Sequence, residues 1–277
     1  MYTYGPPLAA RELMKGRSAR LPVRIDDYAV YIGGRFSLSF QRTLRLPEGA
    51  PDYPRPPRLG NFRIYRTEDF LTMVPPEWAD SAGIFIPVYG HEALCLAFGG
   101  VAWKPNALLV ALDGTNALSG EPLSLNLRPS PQNYLISPHQ PWLTAAHTPE
   151  GTRQFAPSCE DGRAAHVEVV VFDPRMGIFP NEPLSPAWPE GALFEESVRP
   201  YRMGLSGDPL DRPTIATSPF PDPYGPQTWE SEPCGRVAVH LVTIEQFVHI
   251  TGYGPPHTPI TPDTYAATGL PWPQCQF

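Results

Sequence analysis

The sequence has almost no lysine and no long apolar segment. Lys15 and Lys104 are the only lysines among 277 residues, and the formal net charge is −7. Without a basic cluster, the chain lacks the electrostatic pattern of proteins that bind nucleic acid or anionic lipid. No stretch approaches the roughly 18 apolar residues of a membrane-spanning helix, and the N-terminus shows no signal-peptide core. We therefore expect no nucleic acid partner, no membrane insertion and a cytoplasmic location.

Cysteine is also scarce. Cys95, Cys159, Cys234 and Cys275 lie far apart in the sequence. Their spacing fits neither a metal-binding C-x-x-C pair nor a compact disulfide framework. Cys95 lies in the apolar run Ala93–Phe98, which is typical of a buried, unreactive thiol.

Motifs that would identify a reaction are missing as well. Gly99-Gly100 is not followed by the Gly-Lys-Ser/Thr of a phosphate-binding loop. Ser119 and Ser206 each precede a glycine, but neither lies in the G-x-S-x-G turn of a serine hydrolase. We therefore expect no cofactor, and the sequence favours a protein without chemistry of its own.

Proline is what the chain has in abundance. It contains 38 prolines, yet 42% of its residues are hydrophobic and 11% aromatic, which favours a folded protein over a disordered one. Proline interrupts long helices and central strands. The sequence predicts a mainly β fold: a sandwich or barrel-like core of short antiparallel strands, long Pro-rich loops and one or two short C-terminal helices. We interpret residues 1–277 as one domain.

Several segments carry clear β patterns. Alternation from Phe36 to Leu46, interrupted by Arg42, predicts a strand that pairs with Asp27–Ile32 through a Gly33-Gly34 turn. Strand-length apolar runs predict further strands at residues 62–65, 84–89, 93–98 and 107–112. Strands are also predicted at residues 123–127, 132–137, 165–172 and 236–242.

Two helices and one irregular segment complete the predicted elements. Thr243 and Gln246 have capping-box spacing, and Thr261-Pro262 predicts a second helix start. Residues 173–232 are predicted to form an extended arm, because regular structure nearly vanishes there while large aromatic residues persist. Those aromatics are Phe179, Trp188, Phe194, Tyr201, Phe220, Tyr224 and Trp229.

One group of residues has the composition of a ligand cleft. Gln132, Tyr134, Gln140, Trp142 and Arg153 combine aromatic rings with amide and guanidinium groups. Rings offer apolar faces while amides fix hydroxyl or backbone groups, as sugar and peptide sites require. The same residues also suit a core at a sheet edge, which we rank higher.

The sequence predicts no metal site, although three residues are candidates for one. His166 and Glu168 share a face of a predicted strand, and His240 lies on a later strand. Imidazole and carboxylate are common ligands, but no third ligand with fitting spacing follows in the sequence. We therefore favour an exposed polar strand face as the explanation of this pattern.

Three stretches carry a resemblance to known sequences: Gln132–Leu143 with Arg153-Gln154-Phe155, Glu92–Gly99, and Pro259–Tyr265 with Gly269–Trp272. Together they resemble a family of uncharacterised bacterial and fungal proteins over most of the chain. The family has no assigned activity, so the resemblance implies no catalytic residues. It implies one continuous unit.

Two functional hypotheses lead, ahead of a metal hydrolase that would use His166, Glu168 and His240. The first is a non-catalytic structural protein that forms homo-oligomers through its Pro- and aromatic-rich arm, because sixty irregular residues with seven large aromatics are hard to bury in a monomer. The second is a carbohydrate- or peptide-binding module, or a hydrolase, with a cleft at Gln132, Tyr134, Gln140, Trp142 and Arg153.

Overall fold

The chain folds into two β-sheets that pack face to face. The computed structural model describes residues 3–4, 21–47, 55–79, 83–149, 151–181 and 218–275, and the account below concerns these residues. None of the helices among them is long and apolar enough to cross a membrane.

Sixteen strands and three α-helices are described. The first sheet has the order β1-β2-β3-β4-β8-β12, with β5 also paired to β4. The second has the order β10-β9-β15-β16-β7-β6, with β11 also paired to β9, and β13 and β14 form a separate hairpin. The bounds are β1 Thr3–Tyr4, β2 Val23–Ile25, β3 Ala29–Ile32, β4 Phe36–Leu44, β5 Arg58–Asn61, β6 Tyr65–Arg66, β7 Ile84–Pro87, β8 Glu92–Gly99, β9 Asn106–Leu112, β10 Thr115–Asn116, β11 Leu135–Ser137, β12 Trp142–Leu143, β13 Ala145–Thr148, β14 Gly151–Gln154, β15 Ala165–Phe172 and β16 Gly235–Val242.

The predicted hairpin is β3–β4. Because Ile32 pairs with Phe36, its loop has three residues rather than two. Gly33 takes a φ of +60° in this loop, a conformation that favours glycine. Arg42, which interrupts the alternation, is nearly buried and pairs with Glu92 of β8.

The second sheet is antiparallel apart from one pair. β15 lies between β9 and β16, and β16 pairs in parallel with β7. The sequence therefore predicted an antiparallel sheet correctly, but gave no sign of this parallel pair. Seven of the eight residues of β15 are buried, because both faces of this central strand are covered, and His166 is the exception.

One core joins the two sheets. Phe36, Leu38 and Phe40 of the first sheet pack with residues of the second such as Val110 and Val169. The fold is therefore mainly β, as predicted. It is the sandwich alternative that is confirmed, since the strands described do not close into a barrel.

The helices follow their predicted caps. Helix α1 covers Pro76–Ala79, α2 covers Ile244–Thr251 and α3 covers Pro262–Thr268. Thr243 and Thr261 are N-caps whose hydroxyls accept the N–H of Gln246 and Thr264, and left-handed Gly252 and Gly269 end the helices. Both C-terminal helices are confirmed, whereas α1 was not predicted.

The predicted arm is described only at its two ends. Residues 182–217, which include Trp188, Phe194, Tyr201 and Ser206, lie outside the described residues. Residues 48–54 also lie outside them. The other end, from Ser218, lies on the outer face of the second sheet, where Trp229 is fully buried and forms a bridge with Pro174. At Pro226–Thr228 this end forms a short 3-10 helix.

Candidate functional site

Three of the five predicted cleft residues surround a returning segment of the chain. Gln132 donates from Nε2 to the carbonyl oxygens of Tyr134 (2.8 Å) and Phe220 (2.9 Å). Its Oε1 accepts the N–H of Asp222 at 3.0 Å. Gln140 accepts the N–H of Phe220 on Oε1 at 2.8 Å. Two amide side chains thus bind an extended backbone much as a neighbouring strand would.

Asp222 anchors the same segment through its carboxylate. Oδ2 accepts the Tyr134 hydroxyl at 2.6 Å and the Trp229 Nε1–H at 3.1 Å. Oδ1 accepts the N–H of Tyr224 at 2.8 Å. Burial and the neighbouring Asp222 raise the pKa of Tyr134, so this phenol remains a hydrogen-bond donor. We call residues 218–224 with Gln132, Tyr134 and Gln140 the clasp.

The other two predicted cleft residues lie elsewhere. Trp142 is on β12, paired with Ala97 of the first sheet. Arg55 and Arg58 lie 5.1 and 5.3 Å from the centre of its ring. Arg153 is on β14 and donates from Nη1 to Oδ2 of Asp113 at 2.8 Å. The five side chains are therefore divided among three places.

The predicted histidines meet on the outer face of the second sheet. His166 of β15 lies directly opposite His240 of β16 in the ladder, and their Nδ1 atoms are 3.4 Å apart. Glu168 pairs instead with Arg236. In the part of the chain that is described, no three His, Cys, Asp or Glu side chains converge on one point.

His240 is held in an apolar setting. The Trp78 ring stacks on it with centroids 4.0 Å apart and an interplanar angle of 11°. Its Nε2 is buried and has no hydrogen-bond partner among the described residues. Burial, and to a lesser extent the neighbouring His166, lowers the pKa of His240 to about 3, so this imidazole is neutral at pH 7.

A buried ion pair, which the sequence did not reveal, lies where β4 meets β8. Glu92 is fully buried, and its Oε1 lies 2.8 Å from Nε of Arg42. The Thr258 hydroxyl donates to Oε1, and the Tyr89 N–H donates to Oε2 at 3.2 Å. Burial raises the pKa of Glu92, although Arg42 and these donors oppose the shift.

The C-terminal strap, residues 256–275, packs against this ion pair. Tyr265 donates to the carbonyl of His91 at 2.6 Å, and the Arg45 N–H donates to the Tyr265 oxygen at 2.8 Å. His91 stacks between Tyr89 and Trp272.

A disulfide holds the end of the strap. It joins Cys275 to Cys159, 116 residues earlier, whereas Cys95 and Cys234 are free and buried. Only the expectation for Cys95 is confirmed, since cysteine spacing did not indicate this bond. Burial raises the pKa of the Cys95 thiol to about 11.

A cavity of about 580 Å³ opens on the outer face of the first sheet. Its polar lining includes Arg24, Asp26, Ser39, Asn61 and Arg66, and none of the predicted site residues.

Compared with known proteins, the chain matches no family model, no curated protein and no solved structure.

Proposed function

We propose that the protein is a non-catalytic, self-associating structural protein whose Pro- and aromatic-rich arm joins one copy to another. The clasp carries this proposal. The polar side chains that composition suggested for a ligand instead bind the chain's own backbone, so they recognise an extended segment of this same sequence.

A segment held in this way can be exchanged between copies. The clasp depends on side-chain hydrogen bonds from Gln132, Gln140 and Tyr134, and an identical set is available on a second molecule. The 36 residues between Asn181 and Ser218 provide ample chain for such an exchange. Gly225, with a φ of +81°, follows the segment and is a suitable hinge.

Exposed apolar side chains beside the clasp support the same proposal. Met176 is 91% exposed and Ile178 50% exposed. Phe179 of the same loop contacts the Tyr224 ring edge-on at 5.1 Å. Apolar residues grouped at the border of a docked segment suit a contact with a further copy.

Photo-cross-linking tests the exchange directly. We would replace Phe220 with benzoylphenylalanine, irradiate an equal mixture of unlabelled and isotope-labelled protein, and identify the linked peptides by mass spectrometry. Exchange predicts links between position 220 of one copy and the Gln132 to Gln140 region of the other. Links confined to single chains would contradict the proposal.

The same geometry favours a second candidate, a peptide-binding module. Two amides that bind the backbone of Phe220 and Asp222 can bind an extended Pro-rich peptide from a partner once the chain's own segment has left. A labelled peptide with the sequence of residues 218–229 would then bind saturably, and Gln140→Ala would weaken it. This candidate would be contradicted if the peptide bound neither the intact chain nor Asp222→Ala.

Cellular location belongs with these proposals. The sequence led us to expect the cytoplasm, whereas the Cys159–Cys275 disulfide favours an oxidising compartment, because cytosolic thiols are kept reduced. We retain the cytoplasm as the proposal. Alkylation of free thiols in the cell followed by mass spectrometry tests it: labelled Cys159 and Cys275 support the cytoplasm, and an intact bond contradicts it.

A further inference from the structure

His166 and His240 lie opposite each other on the two central strands of the second sheet. Their Cα atoms are direct partners in the β15–β16 ladder, so both side chains project from the same face. The imidazole rings face each other with centroids 4.8 Å apart, and the facing atoms are the two Nδ1 nitrogens. Neither side chain takes part in the clasp.

The separation of these nitrogens distinguishes two explanations. Protein hydrogen bonds from nitrogen donors usually span about 2.7–3.2 Å, so 3.4 Å is long for a direct proton bridge. Zinc binds imidazole nitrogen at about 2.0–2.1 Å, and two corners of a tetrahedron with that radius lie about 3.3–3.4 Å apart. The observed separation matches the second geometry better.

The surroundings suit a metal ligand pair. His240 is only 6% exposed, and its Nδ1 faces the Nδ1 of His166. Trp78 stacks on its ring and restricts the orientation of the imidazole. His166 is only partly buried, so water can reach this side of the pair.

The neighbouring charged groups are already paired. Glu168, two residues from His166 on the same strand face, binds Arg236, and Asp113 binds Arg153 while it accepts the N–H of His166 on Oδ1. Among the described residues, no third His, Cys, Asp or Glu side chain converges with the two histidines. Glu168, which the sequence grouped with them, is therefore left out of the ligand set.

We propose that His166 and His240 form a two-histidine binding site for Zn²⁺ or a similar divalent transition metal ion. The two Nδ1 atoms provide the protein ligands, and water occupies the remaining positions. Imidazole is a preferred ligand of zinc, copper and nickel, whereas Mg²⁺ and Ca²⁺ prefer oxygen. The site is independent of the proposed assembly function.

Titration calorimetry with Zn²⁺ on the metal-free full chain tests the proposal. We expect one saturable site per chain, and we expect His166→Ala to weaken it roughly tenfold or more, since half of the protein ligands are lost. Because His166 is partly exposed, this variant is expected to fold. His249→Ala, which removes an exposed histidine on α2, is the matched control and should bind as the unmodified chain does.

Thermal unfolding provides a second readout, because a metal that binds only the folded state raises its melting temperature. Zn²⁺ should raise the melting temperature of the unmodified chain and of His249→Ala, but not of His166→Ala or His240→Gln. Circular dichroism of each variant checks that it folds. The absence of saturable Zn²⁺ binding, or equal binding by His166→Ala, would overturn the proposal.

Discussion

At the scale of single residues, side-chain donors satisfy the carbonyl oxygens of several prolines. Proline has no N–H, but its carbonyl still requires a donor when buried. Thr43 donates to Pro57 at 3.0 Å, Tyr89 to Pro256 at 2.8 Å and Arg45 to Pro157 at 2.8 Å. Polar residues buried in the sandwich are thus part of its framework, and their burial alone does not indicate a catalytic role.

The Arg42–Glu92 pair provides a prediction at this scale. Arg42→Leu leaves the Glu92 carboxylate buried without its cation, and we expect a loss of about 3–5 kcal/mol in the free energy of unfolding. Replacing both residues with leucine should recover most of this loss, because no buried charge then remains. Urea unfolding at neutral pH measures both changes. A double variant as unstable as Arg42→Leu would contradict the interpretation.

His91 predicts a dependence of stability on pH. Burial, followed by the nearby Arg42, lowers the pKa of His91 below the unfolded value of 6.5. The unfolded chain therefore binds more protons below pH 6.5, and this contribution to stability is lost as the pH falls through that value. His91→Phe retains a ring between Tyr89 and Trp272 but cannot titrate. Urea unfolding at pH 7.5 and pH 5.5, values about one unit on either side of the unfolded pKa, measures this dependence. The free energy of unfolding should fall less between these pH values for His91→Phe than for the unmodified chain. An equal fall in both would contradict the assignment.

At the scale of elements, local patterns predicted what local contacts determine. β8, β9, β15 and β16 are rich in apolar residues, and the helix caps depend on residues three apart, so both were predicted close to their observed bounds. Residues 123–127 were predicted as a strand, but they form no strand and pack Leu123 and Leu127 against the outer face of the second sheet. An apolar run without a strand partner remains a loop.

The candidate site could be predicted only in part, for a related reason. Residue chemistry indicated Gln132, Tyr134 and Gln140 as binding residues, and they do bind backbone or carboxylate groups. Their partners lie 80 to 90 residues away in sequence. Which segment returns to these side chains is decided by sheet order, and no local pattern encodes that order. The same holds for the Cys159–Cys275 bond.

The clasp gives a prediction for the segment as a whole. Gln140→Ala removes the acceptor of the Phe220 N–H, so residues 218–224 should detach more often. We expect faster chymotrypsin cleavage after Tyr224, whereas the Phe220–Pro221 bond resists cleavage. The control is Gln274→Ala, which changes an exposed amide of the C-terminal strap. Equal cleavage rates in the two variants would contradict the role given to Gln140.

At the scale of the whole molecule, one covalent bond ties the C-terminal strap to the sandwich. The disulfide closes a loop of 116 residues, for which chain entropy predicts a contribution of roughly 4–5 kcal/mol. Cys159→Ser/Cys275→Ser should lower the urea midpoint of unfolding. Dithiothreitol should lower the urea midpoint of the unmodified chain but not that of the double variant. An effect of the reductant on the double variant would contradict this assignment.

Sedimentation velocity of the intact chain over a range of micromolar concentrations tests the central claim most directly. Self-association through the arm predicts species larger than the 30.6 kDa monomer, with a fraction that rises with concentration. Gln132→Ala/Gln140→Ala should shift this distribution toward the monomer, because the exchanged segment loses its partners. A single compact monomer at every concentration would contradict the claim.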